Sequence, residues 1–278
     1  MGILNSVTRG VGNDGIRFVV AGAEKVGKTT LACNAPNPLL VPIEVGYSQV
    51  TIPKTKIIES FADLTAVVDE IIALARVKQF PYKSVVFDSV TKLETLIHQA
   101  VLDADPAHKT EKGKLLTMES VLGGYGRGYL YANELFGKFL AKCDLLAVYG
   151  KINIIMTCHV FPAKLLDPIA GEYDSWDLLL HSPKNQKTYG KREILTQWAD
   201  CVGFLYEPMY ISEGERMNKG VSAGLGRVLG VSRTPSYVAG NRFGMQGEIP
   251  IPQVDGWNHF ANAIYQSSKI NVFNQQEQ

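Results

Sequence analysis

An octapeptide, Gly22-Ala23-Glu24-Lys25-Val26-Gly27-Lys28-Thr29, follows the short apolar, β-branched run at residues 16–21 and opens into a segment of helical character. Few short patterns constrain a chain more. The spacing G-x-x-x-x-G-K-[ST] between a buried strand and a helix makes a loop whose successive backbone N–H groups converge on phosphate oxygens, while the helix start adds positive potential. Lys28 is placed to reach the outer phosphates and the Thr29 hydroxyl to hold a divalent cation; Thr30, next in the helix, is counted with the nucleotide-binding candidates. A plain glycine turn is the alternative reading, and the flanking strand and helix argue against it.

The rest of the chain repeats the strand-helix alternation. Residues 39–44 and 84–88 read as buried strands, and residues 57–58 as the possible start of another. Leu64, Val67, Val68, Ile71, Ile72 and Ala75 fall at helical spacing, as do Leu135, Phe136, Phe139, Leu140, Leu145 and Leu146, which lead into a strand at residues 152–158. A helix is expected over residues 90–102 and another over 257–265. Past Asp200 the elements shorten: residues 201–206, 227–232 and 236–240 read as strands of an antiparallel extension. The expected fold class is α/β, a mainly parallel central sheet with helices on both faces and an antiparallel C-terminal extension. One domain spans residues 16–266, with an N-terminal segment at 1–15 and a polar tail at 267–278.

Composition narrows the function classes. The 278 residues carry a formal charge of +1, so any nucleic-acid contact must come from a local patch or from repetition across an assembly. The longest apolar stretches are strand-length, far short of the ~20 residues a membrane span needs, so no membrane partner is expected and the location is read as cytoplasmic. Four scattered cysteines form no metal-ligand pattern and read as buried thiols.

Several further residues are candidates for chemistry. Asp88 ends an apolar strand, where a carboxylate emerges at the ligand edge of a parallel sheet and can hold Mg2+; the alternative is an N-cap for the next helix. Glu44 ends the strand at 39–44 and is the candidate base or orienter of an attacking water, or else a solvated strand-end acid. Thr157 and His159 close a third strand end, where a polar side chain can sense the outermost phosphate or be a packed, hydrogen-bonded group. The run at 181–192 carries Lys184, Lys187, Lys191 and Arg192 around Tyr189 with no acid, a composition suited to a phosphate backbone and a stacked base, or to a solvated loop.

In their order, GAEKVGKTT, the PIE strand end, VVFDS, the YGRGY segment, NIIMTCHV and SYVAGNRFGM resemble the RecA-like ATPases, and among them the core-only phage proteins of single-strand annealing type. The resemblance covers most of residues 16–245. It implies an ATP hydrolase that uses ATP and Mg2+, with Glu44 as catalytic base and His159 at the sensing position. The basic run becomes a loop contacting single-stranded DNA, and Arg242 a finger donated to the neighbouring subunit of a ring or filament. It further implies recombination or replication proteins as partners and, for a phage product, the host cytoplasm. A nucleotide-dependent loader acting on a protein partner, and a small-molecule kinase, are the rival readings.

Overall fold

A computed structural model describes residues 14–46, 50–106, 116–169, 171–183, 189–212, 219–222, 224 and 226–273. In chain order the elements are β1 (Arg17–Gly22), α1 (Lys28–Cys33), β2 (Pro38–Pro42), α2 (Phe61–Arg76), β3 (Ser84–Asp88), α3 (Val90–Ala104), α4 (Arg127–Gly150), β4 (Asn153–Asp167) and β5 (Gly171–Leu178). There follow α5 (Lys191–Trp198), β6 (Cys201–Tyr206), β7 (Met209–Ser212), β8 (Lys219–Ser222), β9 (Val228–Gly230), β10 (Gly240–Asn241), β11 (Glu248–Pro250) and α6 (Gly256–Ser268). The main sheet runs β11-β9-β6-β1-β4-β3-β2, with β2, β3, β4, β1 and β6 mutually parallel and the outer strands antiparallel.

Strand alternation explains why β1 lies at the centre. Phe18 and Val20 face one core layer, Val19 and Ala21 the other, and all four are fully buried. On the first face, Phe18 stacks on Phe260 of α6 at 4.2 Å between ring centroids, with Trp257 edge-on at 6.2 Å. On the second, the apolar stripes of α2, α3 and α4 close over β3 and β4; Phe87 meets Phe139 edge-to-face at 5.2 Å. Ser60 caps α2 by accepting from the Asp63 N–H, and Ser89 caps α3 by accepting from the Lys92 N–H, the local chemistry that starts both helices.

Three expectations differ from the structure. Residues 57–58 form no strand: this segment makes an isolated parallel bridge, Leu40↔Lys54, and backbone hydrogen bonds to β2 that include one from the Ile58 N–H to the Pro42 carbonyl at 2.9 Å. The strand expected to end at Cys158 continues to Asp167 and folds back on β5, pairing from Val160↔Leu178 to Asp167↔Gly171. Its first half is apolar and buried in the sheet, whereas its second alternates toward solvent, so the hydrophobic run marked only the half that the sheet covers. Residues 236–240 form no strand of their own: Tyr237 makes an isolated parallel bridge to Trp176, and β10 begins only at Gly240. In the C-terminal segment, Val272 is buried and its carbonyl accepts from Trp257 Nε1–H at 2.8 Å, which seats residues through 273 on the α6 face. Among the described residues no helix is long and apolar enough to cross a membrane.

Candidate functional site

Parallel strands bring their C-terminal ends to one edge of the sheet, and the register assigns the neighbours there. Gly22, the first glycine of the loop, pairs with His159 on β4, and Pro42 pairs with Asp88 across β2 and β3. The Asp88 carbonyl accepts the backbone N–H of Ile43 at 2.6 Å and of Glu44 at 3.0 Å, which carries Glu44 over the Asp88 strand end. Sheet order therefore gathers Glu44, Asp88 and His159, up to 115 positions apart in sequence, around one loop.

The loop has the backbone its glycines permit. Gly27 sits at φ +97° and caps α1, and Lys25 also takes a positive φ. The side chains of Ala23, Glu24, Lys25 and Thr30 are exposed, leaving their backbone to line the turn, while Lys28 is buried. Lys28 Nζ donates to the carbonyls of Gly22 at 3.0 Å and Ala23 at 2.8 Å, and lies 3.5 Å from His159 Nδ1. Burial lowers the Lys28 pKa, and the charges of Asp88 and Glu44 oppose that shift.

Two hydroxyls fix Asp88. Thr29 Oγ1–H donates to Oδ2 at 2.7 Å, and Thr157 Oγ1–H donates to Oδ1. A Thr hydroxyl and a carboxylate at one strand end are hard oxygen donors that suit Mg2+, which prefers one or two protein ligands completed by water and phosphate oxygens. Among the described residues no group of three or more His, Cys, Asp and Glu could hold a metal by itself. Ser89 covers the N-cap role that Asp88 alone could have been assigned from sequence.

Glu44 is held at both oxygens. Ser89 Oγ–H donates to Oε2 at 2.7 Å, and His159 Nε2 lies 3.2 Å from Oε1. With Lys28 donating to Nδ1, the tautomer that satisfies both contacts carries its proton on Nε2, so a chain of hydrogen bonds runs from Lys28 through His159 to Glu44. The bond from His159, with that from Ser89, holds the Glu44 carboxyl below its ordinary value although burial opposes it. His159 is itself anchored, its N–H donating to Thr91 Oγ1 at 3.0 Å. Burial raises the pKa of Cys158 beside it to about 12, an inert thiol.

On the other flank of the loop, an aromatic cleft of about 610 Å³ runs from residues 23–26 to Phe204, Tyr206 and Tyr237. Phe204 and Tyr237 stack at 4.7 Å, and Tyr206 O–H donates to Glu248 at 2.5 Å. Sequence reading missed this cleft, because its residues come from three separate strands and loops and form no motif.

The basic run divides. Lys184 and Lys187 lie outside the described residues, and Tyr189 is 63% exposed. Lys191 corrects its reading as a nucleic-acid contact: its side chain is 0% exposed, its Nζ 3.2 Å from Glu94 and 3.0 Å from His98 Nε2. Arg192 is likewise turned inward, onto Asp177 and Glu193. The run itself has no acid, but Glu193 directly follows it and the fold supplies Glu94 and Asp177 from elsewhere, pairings that composition within the run does not reveal. Arg242 stands at the opposite edge of the sheet from the loop, where it donates to Asp200 at 3.0 Å and to the Gln197 carbonyl. It is no part of this site within one chain.

A strand-loop-helix phosphate cradle, with a threonine-aspartate pair and a tethered glutamate at the ends of adjacent parallel strands, defines a P-loop NTPase. A family model described as AAA domain matches residues 14–243, and the chain belongs to that family. AAA ATPases generally use ATP and Mg2+. No curated protein is similar enough to this chain to match it.

Proposed function

We propose that the protein hydrolyses ATP, and that the observation carrying this reading is the hydrogen-bonded chain Lys28–His159–Glu44 beside the Thr29–Asp88 pair. Lys28 and the loop N–H groups bind and orient the outer phosphates, compensating charge that builds in the transition state. Mg2+, held by Thr29 and Asp88, would supply further charge neutralisation. Glu44, ionised and restrained at both oxygens, orients a water and accepts its proton, the feature that separates a hydrolase from a phosphotransferase that must exclude water. His159 ties that carboxylate to the lysine, so the presence of a phosphate at Lys28 is communicated to Glu44. The aromatic cleft on the β6 flank takes the base and sugar.

The RecA-like reading adds single-stranded DNA as partner, with Tyr189, Lys184 and Lys187 as its contacts, and an annealing or recombination role in a ring or filament. Helix α3 supports coupling between the two sites. Ser89 and Thr91 at its start touch Glu44 and His159, while Glu94 and His98 one and two turns on hold Lys191, and Glu94 accepts the His181 N–H at 2.9 Å. A shift at the phosphate end therefore reaches both ends of the loop at 181–191. The test is ATP turnover with Mg2+, with and without single-stranded DNA. Wild type is expected to hydrolyse ATP faster with DNA and Lys28→Ala to lose at least 100-fold, on the order of removing a principal phosphate contact. Turnover indifferent to DNA would leave the ATPase and favour a switch acting on a protein partner.

A further inference from the structure

Arg227 immediately precedes β9, whose Val228 pairs with Tyr206 at the C-terminal end of β6, so it stands at the ligand edge of the sheet. Its guanidinium reaches the phosphate loop. Nη1 donates to the Val26 carbonyl at 3.3 Å, and a Cβ added to Gly27 would fall 1.9 Å from the same nitrogen. The cation thus rests directly on the bare Cα of the loop's last glycine, a close approach that only glycine permits.

Its electrostatic position sets it apart from the other arginines already described. Arg17, Arg192 and Arg242 each hold carboxylates. No carboxylate among the described residues pairs with Arg227, and burial lowers its pKa with no acidic neighbour in opposition. A partly desolvated guanidinium whose one side-chain bond among the described residues is a long contact to a carbonyl gains most from an anion.

Sheet order identifies which part of a nucleotide that anion belongs to. Asp88, Glu44, Thr157 and His159 come from the β2, β3 and β4 side of β1, whereas Arg227 comes from beyond β6 on the other side. A triphosphate with its outermost phosphate toward Asp88 and Glu44 turns its inner phosphates toward β6 and the aromatic cleft.

We propose that Arg227 is a phosphate ligand of the nucleotide, exchanging its contact with Val26 for charge-assisted hydrogen bonds to the α- or β-phosphate, the portion that ATP and ADP share. This rests on the nucleotide-binding reading above. It makes Arg227 a determinant of affinity for both nucleotides, supplied in cis, and separate from any residue that discriminates the outermost phosphate. A charge-assisted bond of this kind corresponds to roughly a 10- to 100-fold change in affinity.

The experiment is a titration of wild type, Arg227→Ala, Arg227→Lys and Lys28→Ala with fluorescent ADP and with a fluorescent non-hydrolysable ATP analogue, each with Mg2+. Thermal midpoints without nucleotide check that each variant is folded, and Arg227→Gln replaces the alanine variant should that one unfold. The expected result is that Arg227→Ala weakens both ligands equally within the 10- to 100-fold range, and that Arg227→Lys recovers part of the loss because it keeps the charge without the fork. Wild-type affinity in Arg227→Ala alongside lost binding in Lys28→Ala would overturn this inference alone. So would a loss confined to the ATP analogue, which would put Arg227 at the outermost phosphate. Wild type that binds neither ligand would overturn the nucleotide reading itself, and this inference with it.

Discussion

The two edges of the central sheet carry similar residues in opposite arrangements. At the C-terminal edge, Lys28, Asp88, Glu44 and His159 are linked mainly by single hydrogen bonds from hydroxyls and an imidazole, each leaving capacity for a ligand. At the N-terminal edge, Arg17 binds Asp200 through Nε at 3.0 Å and Nη2 at 2.7 Å and Asp144 at 2.9 Å, while Arg242 takes another place on Asp200 and Trp198 Nε1–H donates to Asp144 at 2.8 Å. The guanidinium fork of Arg17 is saturated by the carboxylates. An acid paired by an arginine fork is a structural tie; an acid restrained by hydroxyls stays available for chemistry.

Substitutions that exchange the behaviour of the two edges test that contrast. The largest effect is expected at Glu44→Gln, with turnover falling roughly 100-fold or more while nucleotide binding persists, because the change removes proton acceptance and spares the cradle. Equal losses of binding and turnover would make Glu44 part of the cradle instead. At the far edge, Asp200→Ala should cost about 1.5–3 kcal/mol in urea unfolding, since it removes the carboxylate that takes two of Arg17's side-chain hydrogen bonds and leaves Asp144 as its remaining acid. ATPase activity per folded molecule should hold; its loss would connect the two edges.

A pH effect of intermediate size is expected from His98, whose pKa burial lowers to about 4. The unfolded chain binds that proton first, so stability falls as pH drops from about 6.5 toward 4, by about 1–2 kcal/mol at pH 5. Unfolding of His98→Gln followed across that window should show a shallower slope than wild type; an unchanged slope would remove His98 as the source. The smallest effect is expected from Arg242→Ala, less than about 1 kcal/mol, because this guanidinium is 54% exposed and Arg17 still holds Asp200. A turnover loss above tenfold that grows with protein concentration would instead give Arg242 the role of a finger reaching a neighbouring chain.

Much of the fold was legible because its signals are local. The β1 run, the phosphate loop and the stripes of α2 and α4 are patterns of two to four residues' spacing, and each has one stable placement in an α/β sheet. Asp88 and Glu44 could be singled out for the same reason, as polar residues closing apolar runs. Where the strand at 152–158 stopped was misread because its outer half, paired only with β5, has no continuous buried face to announce it.

The site depended on distance in another sense. Nothing near Lys191 in sequence indicates Glu94 and His98, which α3 brings from 97 and 93 positions away, so a run without acids looked free when it was paired. Arg227 gave no sign at all, being a lone arginine among glycines that β-pairing with β6 carries onto Gly27. By itself the sequence determined that a phosphate-binding loop would sit between a buried strand and a helix, because that motif is set by local backbone freedom and hydrophobic period. The tertiary structure alone decided which charges remain available around the loop and which are neutralised, because pairing energies act between groups that only the order of strands in the sheet brings within reach.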